Sequence, residues 1–428
     1  MDQSTLFTAD GLKALKLRLV TSSPETSYSF NPAFVYAIFG ENEQIYGYRD
    51  LAIKLYFSSG SLKNYLDISY LGEKLAGDKA LDIEGTLYEF IPSAFDPTRN
   101  SQDYTKNLDI FTATVESDEK NFKPLGSKIG EYARRKKKED IPAAMGKGKA
   151  KTVETNGKGT GKNVWENCEI SDDDAIVYEA YQTRLDTPGF KEYHRRMQIF
   201  VLLYIEGGSY IDEEDDRWEF VTLYEKRQGG NKGEFTFHFV GYTSLYEFFH
   251  WPDKTRLRLA QFLILPPFQG SGHGSTFYNL VYLYLLQRPD IAELTIEDPS
   301  EAFQDMRDKV DFRTLVSADA FKGIKAPVDP SWREQTRKEW KLGSRQFYRL
   351  LEMKLRKNLL EMPKSQKGGA VASAAKVKKY RLMVKERLCR FNYEILAPMD
   401  KTERRETLQQ TFDSVIDEYD RLLDQIGR

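Results

Sequence analysis

Gln269-Gly270-Ser271-Gly272-His273-Gly274 places three glycines within five positions, between an apolar run over 257–265 and a long apolar-periodic segment over 276–287. Glycines let a backbone turn tightly at the mouth of a helix, where N–H groups and the helix dipole favour an anion. A phosphate is the ligand such a turn suits. No Gly-Lys-Ser/Thr follows, so it is not a Walker loop, and Gly270-x-Gly272-x-Gly274 departs from the G-x-G-x-x-G dinucleotide fingerprint. A plain strand-to-helix connection is the competing reading. Downstream, a short run over 291–296 ends in Glu297-Asp298-Pro299, a carboxylate pair that equally suits the entry of a helix. The acidic run 212–216 points to a cationic ligand, or else to a solvated loop. His194, His238 and His250 show no ligand spacing, and His273 reads as a helix-start contact and not a base. Neither a Ser-His-Asp nor a Cys-His arrangement is recognisable, so no covalent enzyme intermediate is expected.

The elements needed to position these residues follow from the hydrophobic pattern. Residues 257–300 read as strand, loop, helix, strand, preceded by strands over 220–225 and 235–242 with a hairpin loop at 228–233. A helical segment opens at Glu192-Tyr193-His194 and turns Ile199, Leu202, Leu203 and Ile205 inward. Strands over 15–20, 52–57 and 65–70 make residues 1–121 a mixed α/β domain. Residues 132–163 are rich in Lys and Gly, poor in large apolar groups, and read as a disordered basic insert. Its run 134–138 suits nuclear import or nucleic-acid contact, or is a merely solvated linker. Residues 164–327 form the domain that carries the motifs. Residues 328–428 form a helical domain, with helices over 340–360 and 377–396 and an apolar stripe from Leu408 to Ile426.

A length of 428 residues allows two or three domains, and 30% charged with 40% hydrophobic residues describes a soluble globular chain. Cys168 and Cys389 give neither a disulfide framework nor metal-ligand spacing, so no metal is expected and a reducing compartment fits. The N-terminus has no signal pattern, and runs such as 200–205 are too short to span a bilayer. Cytoplasm and nucleus are the expected locations, with no membrane association.

Gln269-x-x-Gly272-x-Gly274 after a hydrophobic strand resembles the pyrophosphate motif of GNAT-type N-acetyltransferases. FLILPPFQGSGHG, a helix, and then TIEDPSEAFQDMRD are similar to the catalytic subunits of the type B histone acetyltransferases. The resemblance implies an α+β fold: a GNAT-type domain flanked by the mixed N-terminal and helical C-terminal domains. It implies acetyl-coenzyme A as cosubstrate, held by the backbone of Phe262, Leu263 and Ile264 and by Gln269, Gly270, Ser271, Gly272, His273, Gly274 and Ser275. Ser300 is a further contact, or simply a helix N-cap.

Glu297 matches the family's catalytic glutamate. A lysine nucleophile, with an ordinary pKa of about 10.4, must lose a proton before attack, and partial burial beside Asp298 would suit Glu297 to that task. Glu206 is the second candidate, in a segment the family places near the lysine. The segments around Glu41-Asn42-Glu43 and Tyr246-Glu247-Phe248, with Trp218, resemble those that contact the histone tail; by composition alone they are polar turn and core. The implied activity is acetylation of the tail of newly made histone four. The implied partner is a WD40 histone chaperone, and no direct DNA binding is required. A catalytically silent histone-binding subunit with the same fold is the alternative. A small-amine acetyltransferase fits the acidic and aromatic segments less well.

Overall fold

Leu15, Leu17 and Leu19 alternate with Lys16, Arg18 and Val20, which makes the segment a strand with one apolar face, and all three leucines are buried. The computed structural model describes residues 6–72, 74–75, 79–92, 108–135, 175–229, 233–362 and 369–427. These form two compact units. The first runs to Arg135, resumes over 175–248, and includes Arg258–Leu280; the second holds Phe249–Leu257 and the chain from Val281 onward. Most of the expected insert, with Cys168, lies outside the described residues.

In chain order the first unit contains β1 (Thr8–Asp10), α1 (Gly11–Ala14), β2 (Leu15–Val20), β3 (Tyr28–Phe30), α2 (Tyr36–Phe39), β4 (Gln44–Tyr46), β5 (Ala52–Ser58) and β6 (Asn64–Ser69). There follow α3 (Ile83–Phe90), α4 (Leu108–Asn121), β7 (Ser127–Arg135), β8 (Ala175–Arg184), α5 (Phe190–Met197), α6 (Ile199–Tyr204), β9 (Trp218–Gln228) and β10 (Phe235–His250). β11 (Lys254–Ile264) and α7 (His273–Gln287) continue from one unit into the other. The second unit adds β12 (Ile291–Ile296), α8 (Glu301–Ser317), α9 (Pro330–Glu339), α10 (Ser344–Leu360), α11 (Gly369–Phe391), α12 (Tyr393–Leu396) and α13 (Lys401–Gly427). No helix of the described residues is long and apolar enough to cross a membrane.

One four-stranded sheet has the order β3-β2-β5-β6, with β2 and β5 parallel. The larger sheet of the first unit has the order β11-β10-β9-β8-β7, antiparallel from β7 through β10. This is an α+β chain whose order of strand, glycine turn, helix and strand (β11, turn, α7, β12) is the one expected from the sequence. β10 carries a bulge against β9 between Phe239 and Gly241, and it lies so close to β11 that a Cβ on Gly241 would collide with the Leu263 carbonyl oxygen.

Several boundaries differ from the sequence reading; the helix expected over 377–396, for example, is Gly369–Phe391 with a separate short helix at Tyr393–Leu396. Tyr132–Arg135 belong to β7 and not to an insert: they pair with Tyr178–Ala175 of β8, and the side chains of Tyr132 and Arg134 reach the glycine turn. The helix expected over 340–360 starts only at Ser344, because Leu342 makes a bridge to Leu294 and Gly343 forms the N-cap. In the same unit, Glu352 is fully buried and held by both arms of Arg387 (2.7 and 2.8 Å) and by the Tyr419 hydroxyl (2.9 Å), which ties α10, α11 and α13 together.

Within the first unit, the four-stranded sheet is joined to the larger one where β5 ends. The Phe239 N–H donates to Ser59 O (2.7 Å), the Tyr193 hydroxyl donates to Gly60 O (3.0 Å), and Ser59 Oγ meets His238 Nδ1 at 2.7 Å. His238 Nε2 faces Thr236 Oγ1 at 3.0 Å and Glu119 Oε1 at 3.5 Å. Burial, assisted by the Arg227 charge, pushes the His238 pKa down from 6.5 to about 2, so the imidazole stays neutral. Below its ordinary value the unfolded chain takes up a proton that the folded chain refuses. Stability therefore falls as pH drops below 6.5, by up to about 1.4 kcal/mol per pH unit from this one group. Melting curves between pH 6.5 and 4.5 should show a shallower decline for a folded His238→Gln variant than for the parent. Identical slopes would show that His238 contributes no proton deficit.

Candidate active site

The glycine turn begins where β11 stops. The Leu265 N–H bonds Val240 O at 2.9 Å, and Pro266 and Pro267, which offer no N–H, lead into a short 3-10 turn. Gln269 folds back so that its Nε2 donates to Ile264 O at 2.7 Å. Gly270 (φ 70°) and Gly272 (φ 78°) then adopt left-handed conformations that other residues rarely accept, and α7 starts at His273. Thr276 N–H to Gly272 O, 3.2 Å, closes its first turn.

Behind the turn stands β7. The Tyr132 hydroxyl shares a 2.8 Å hydrogen bond with His273 Nδ1, and His273 is buried edge-on against Tyr178 at 4.4 Å between ring centroids. Burial raises the phenol pKa of Tyr132 against the lowering effect of Arg134, so its hydroxyl keeps its proton. Arg134 donates to Ser271 O (2.6 Å), Gly272 O (2.8 Å) and Thr276 Oγ1 (2.6 Å). The His273 side chain thus faces the interior; Gly274 and Ser275 are half-buried in the first turn of α7. On β11, Leu263 and Ile264 are buried, and half-buried Phe262 packs on Phe277 with centroids 5.4 Å apart.

Gln261, one residue earlier, was not singled out from sequence. Its buried Oε1 accepts from the Tyr242 (3.1 Å) and Ser244 (3.2 Å) hydroxyls, and its Nε2 donates to Ser209 O (3.0 Å). It thereby anchors the loop that carries Glu206 to β11. A glutamine inside the apolar run 257–265 was the available signal. Glu206 is exposed, and the N–H of its neighbour Gly207 bonds the Tyr36 hydroxyl at 2.8 Å.

Tyr36 opens α2, which leads to the turn holding Glu41, Asn42 and Glu43. Glu41 and Asn42 are exposed. Glu43 instead turns inward: it has a left-handed backbone (φ 52°), its Oε1 accepts the Val35 N–H at 2.7 Å, and its carbonyl accepts Gly11 N–H at 2.8 Å. Its carboxylate satisfies a donor at the start of α2.

Trp218, Tyr246, Glu247 and Phe248 do come together on β9 and β10. Trp218 is the register partner of Tyr246, their rings meet edge-on at 4.7 Å, and Tyr246 meets Phe248 at 4.8 Å. Arg217 lies over Tyr246 (4.7 Å) and Arg258 over Phe248 (4.4 Å). Arg184 bridges Glu247 and the fully buried Glu219. The acidic run is less of an anionic patch than its sequence suggests, because local cations partner several of its carboxylates. Glu213 bonds Arg195 (2.8 Å), Glu214 bonds Lys191 (2.5 Å), and Asp215 bonds Arg217 (2.7 Å) and the Tyr246 hydroxyl (2.8 Å). Arg217 holds the Asp215 carboxyl well below the usual carboxylate range.

In the second unit, β12 is fixed from its interior residues. The buried Glu293 carboxylate binds Arg256 (2.6 Å) and Arg337 (2.7 Å), and Leu294 N–H donates to Lys341 O at 2.8 Å. Past the strand end, Glu297 and Asp298 are exposed, and Asp298 has a left-handed backbone (φ 28°). The partial burial expected of Glu297 is therefore not found, because the chain has already left the sheet at Ile296. Ser300 caps α8, its Oγ accepting the Phe303 N–H at 3.3 Å. Among the described residues no group of His, Cys, Asp or Glu is placed to hold a metal ion.

Comparison with known proteins gives this geometry a family. The family described as "Histone acetyl transferase HAT1 N-terminus" matches residues 7–206, and "Fungal HAT1, C-terminal" matches residues 308–359. A histone acetyltransferase type B catalytic subunit of Cryptococcus neoformans is 48% identical over 405 residues, covering 92% of this chain and 89% of the relative. Its namesake from Mycosarcoma maydis is 43% identical over 411 residues (94% and 85%), and that from Candida albicans 31% over 418 residues (95% and 88%). Among solved structures, an aminoglycoside acetyltransferase from a soil metagenome in complex with sisomicin is similar at 15% identity over 34% of this chain and 87% of that one. Its TM-score is 0.20. The chain belongs to the family of histone acetyltransferase type B catalytic subunits, and is an acetyltransferase.

Proposed function

We propose that this acetyltransferase moves the acetyl group of acetyl-coenzyme A to a lysine amine on the tail of newly made histone four, by direct attack in a ternary complex. The observation that carries this reading is the doubly left-handed turn between β11 and α7, in a chain 48% identical to a relative named as such a catalytic subunit. The turn fits a pyrophosphate. It opens the 15-residue helix α7, whose first N–H groups suit an anion, and nothing lies within 4 Å of where a Cβ on Gly270 would stand.

On this reading Gln269 through Ser275 hold the pyrophosphate through backbone N–H groups. The backbone of Phe262, Leu263 and Ile264 holds the pantetheine arm, and Ser300 caps its helix whether or not it also reaches the cosubstrate. When bound, acetyl-coenzyme A supplies an activated acetyl thioester. A lysine amine is a nucleophile only when neutral, and its ordinary pKa of about 10.4 leaves it charged at neutral pH. Glu297 takes that proton, with Glu206 and then Asp298 as the next candidates. Exposed Glu41 and Asn42 meet the basic tail, and the rings of Trp218, Tyr246 and Phe248 flank its aliphatic stems. Glu247, bonded to Arg184, keeps that wall in place. A WD40 histone chaperone as partner, and residence in cytoplasm and nucleus, belong to the same proposal.

Assay of the full chain with acetyl-coenzyme A and histone peptides tests the reading directly. No transfer by well-folded protein would favour the silent histone-binding alternative. Glu297→Gln should keep acetyl-coenzyme A affinity and lower turnover by about 10²–10⁴-fold, the usual cost of losing a general base. Unchanged turnover would remove Glu297 from that role and promote Glu206.

The two glutamates of the 41–43 turn should separate. Glu41→Gln should raise the Michaelis constant for the tail peptide by about two- to fivefold, as expected of one exposed ionic contact, with the effect shrinking at high salt. Glu43→Ala should instead lower the melting temperature, since loss of the Val35 partner costs about 1 kcal/mol. Equal peptide kinetics for Glu41→Gln and parent at low salt would place the tail elsewhere.

A further inference from the structure

The guanidinium of Arg134 makes three hydrogen bonds, all to the glycine turn and the first turn of α7 behind it. Two of them go to successive backbone carbonyls, Ser271 O and Gly272 O. In a trans peptide unit the C=O and N–H point in opposite directions. The Ser271 carbonyl shares its unit with the Gly272 N–H, and the Gly272 carbonyl shares its unit with the His273 N–H. Fixing both oxygens toward Arg134 turns both N–H groups away from it, to the opposite side of the turn.

We propose that Arg134 is a positioning residue for cosubstrate binding: a fork that clamps two carbonyls so that the paired N–H groups are set to receive the pyrophosphate of acetyl-coenzyme A. This rests on the reading of the turn as the pyrophosphate site. Left-handed glycines are needed to bring the carbonyls round, but they are also the residues least able to hold a conformation unaided. The clamp supplies what they lack. A planar guanidinium with donors at fixed angles can hold two adjacent carbonyls at once, whereas an ammonium is a point charge without that geometry. Tyr132, on the same face of β7, completes the support by fixing the His273 ring at 2.8 Å. β7 in turn is held by its ladder to β8, so the clamp is mounted on the sheet and not on a loop.

The role predicts a loss confined to binding. Arg134→Gln and Arg134→Lys, in the full chain, should each weaken coenzyme A binding in calorimetry and raise the Michaelis constant for acetyl-coenzyme A by about tenfold, equivalent to about 1.4 kcal/mol. Turnover at saturating cosubstrate should stay within about twofold of the parent, because the clamp touches no reacting atom. Recovery of parent affinity by Arg134→Lys would show that charge alone suffices and would overturn the clamp. So would parent-like affinity in Arg134→Gln, or a fall in saturated turnover as large as the rise in the Michaelis constant. Gly272→Val separates this from failure of the underlying reading. If that variant, folded, binds coenzyme A normally, the turn is not the pyrophosphate site and both ideas fall. If it loses binding while both Arg134 variants retain it, only the clamp is wrong.

Discussion

A peptide unit cannot aim its carbonyl and its N–H the same way, and a turn that offers N–H groups to an anion must first dispose of its oxygens. In this chain a side chain from a distant strand does much of the disposal. Arg134 takes the Ser271 and Gly272 carbonyls, and Gln269 ties the entry of the turn to Ile264 O. Each depends on something further out. Arg134 depends on the β7–β8 ladder, and Ile264 on the approach of β10 to β11 that Gly241 permits. The glycines make the shape possible, and the sheet makes it the one adopted.

The same strands serve two sides of the first unit. β10 carries Gly241 opposite Leu263, His238 against Ser59, and Tyr246 beside Trp218. The register that sets one of these sets the others, because successive residues of a strand alternate faces and a slip of one residue would exchange them. This explains why a buried, neutral histidine is tolerated far from any chemistry. His238 spends its two nitrogens on Ser59 and Thr236, and so fixes the end of β5 on β10.

Much of this was legible in the sequence because local pattern and tertiary role agreed. The alternation at Leu15, Leu17 and Leu19, the apolar run ending at Pro266, and the glycine spacing each act within a few residues of themselves. Arg134 was not legible, since it stands at the head of a basic run and composition assigns it to solvent. Only its alternation with Tyr132 hints at a strand, and that gains meaning once β8 is known to lie alongside. Gln261 was hidden for the opposite reason, as a polar residue among apolar ones whose partners at 209, 242 and 244 come from other elements. The charge of the 212–216 run was hard to judge because two of its cations, Lys191 and Arg195, lie on α5, about twenty residues earlier, while only Arg217 is adjacent in sequence.

Carboxylates show best how neighbours divide one residue type among several tasks. Glu293 and Glu352 are buried and bound by guanidinium groups, so for them to take a proton during turnover would mean breaking an ion pair the local fold rests on. Glu43 accepts a backbone N–H whose alternative is to go unbonded, and Asp215 is held ionised by Arg217. A general base must be able to gain and lose a proton without such a cost, and must be reachable by its substrate. Among the carboxylates marked out by sequence, those conditions weigh against Glu43 and Asp215, whereas Glu41, Glu206, Glu297 and Asp298 are exposed and so reachable. In the function proposed above Glu297 is the first choice, and the strand before it is held by Glu293, Leu294 and their partners. On that proposal, the proton acceptor would follow directly on a strand whose buried carboxylate and backbone are tied to Arg256, Arg337 and Lys341.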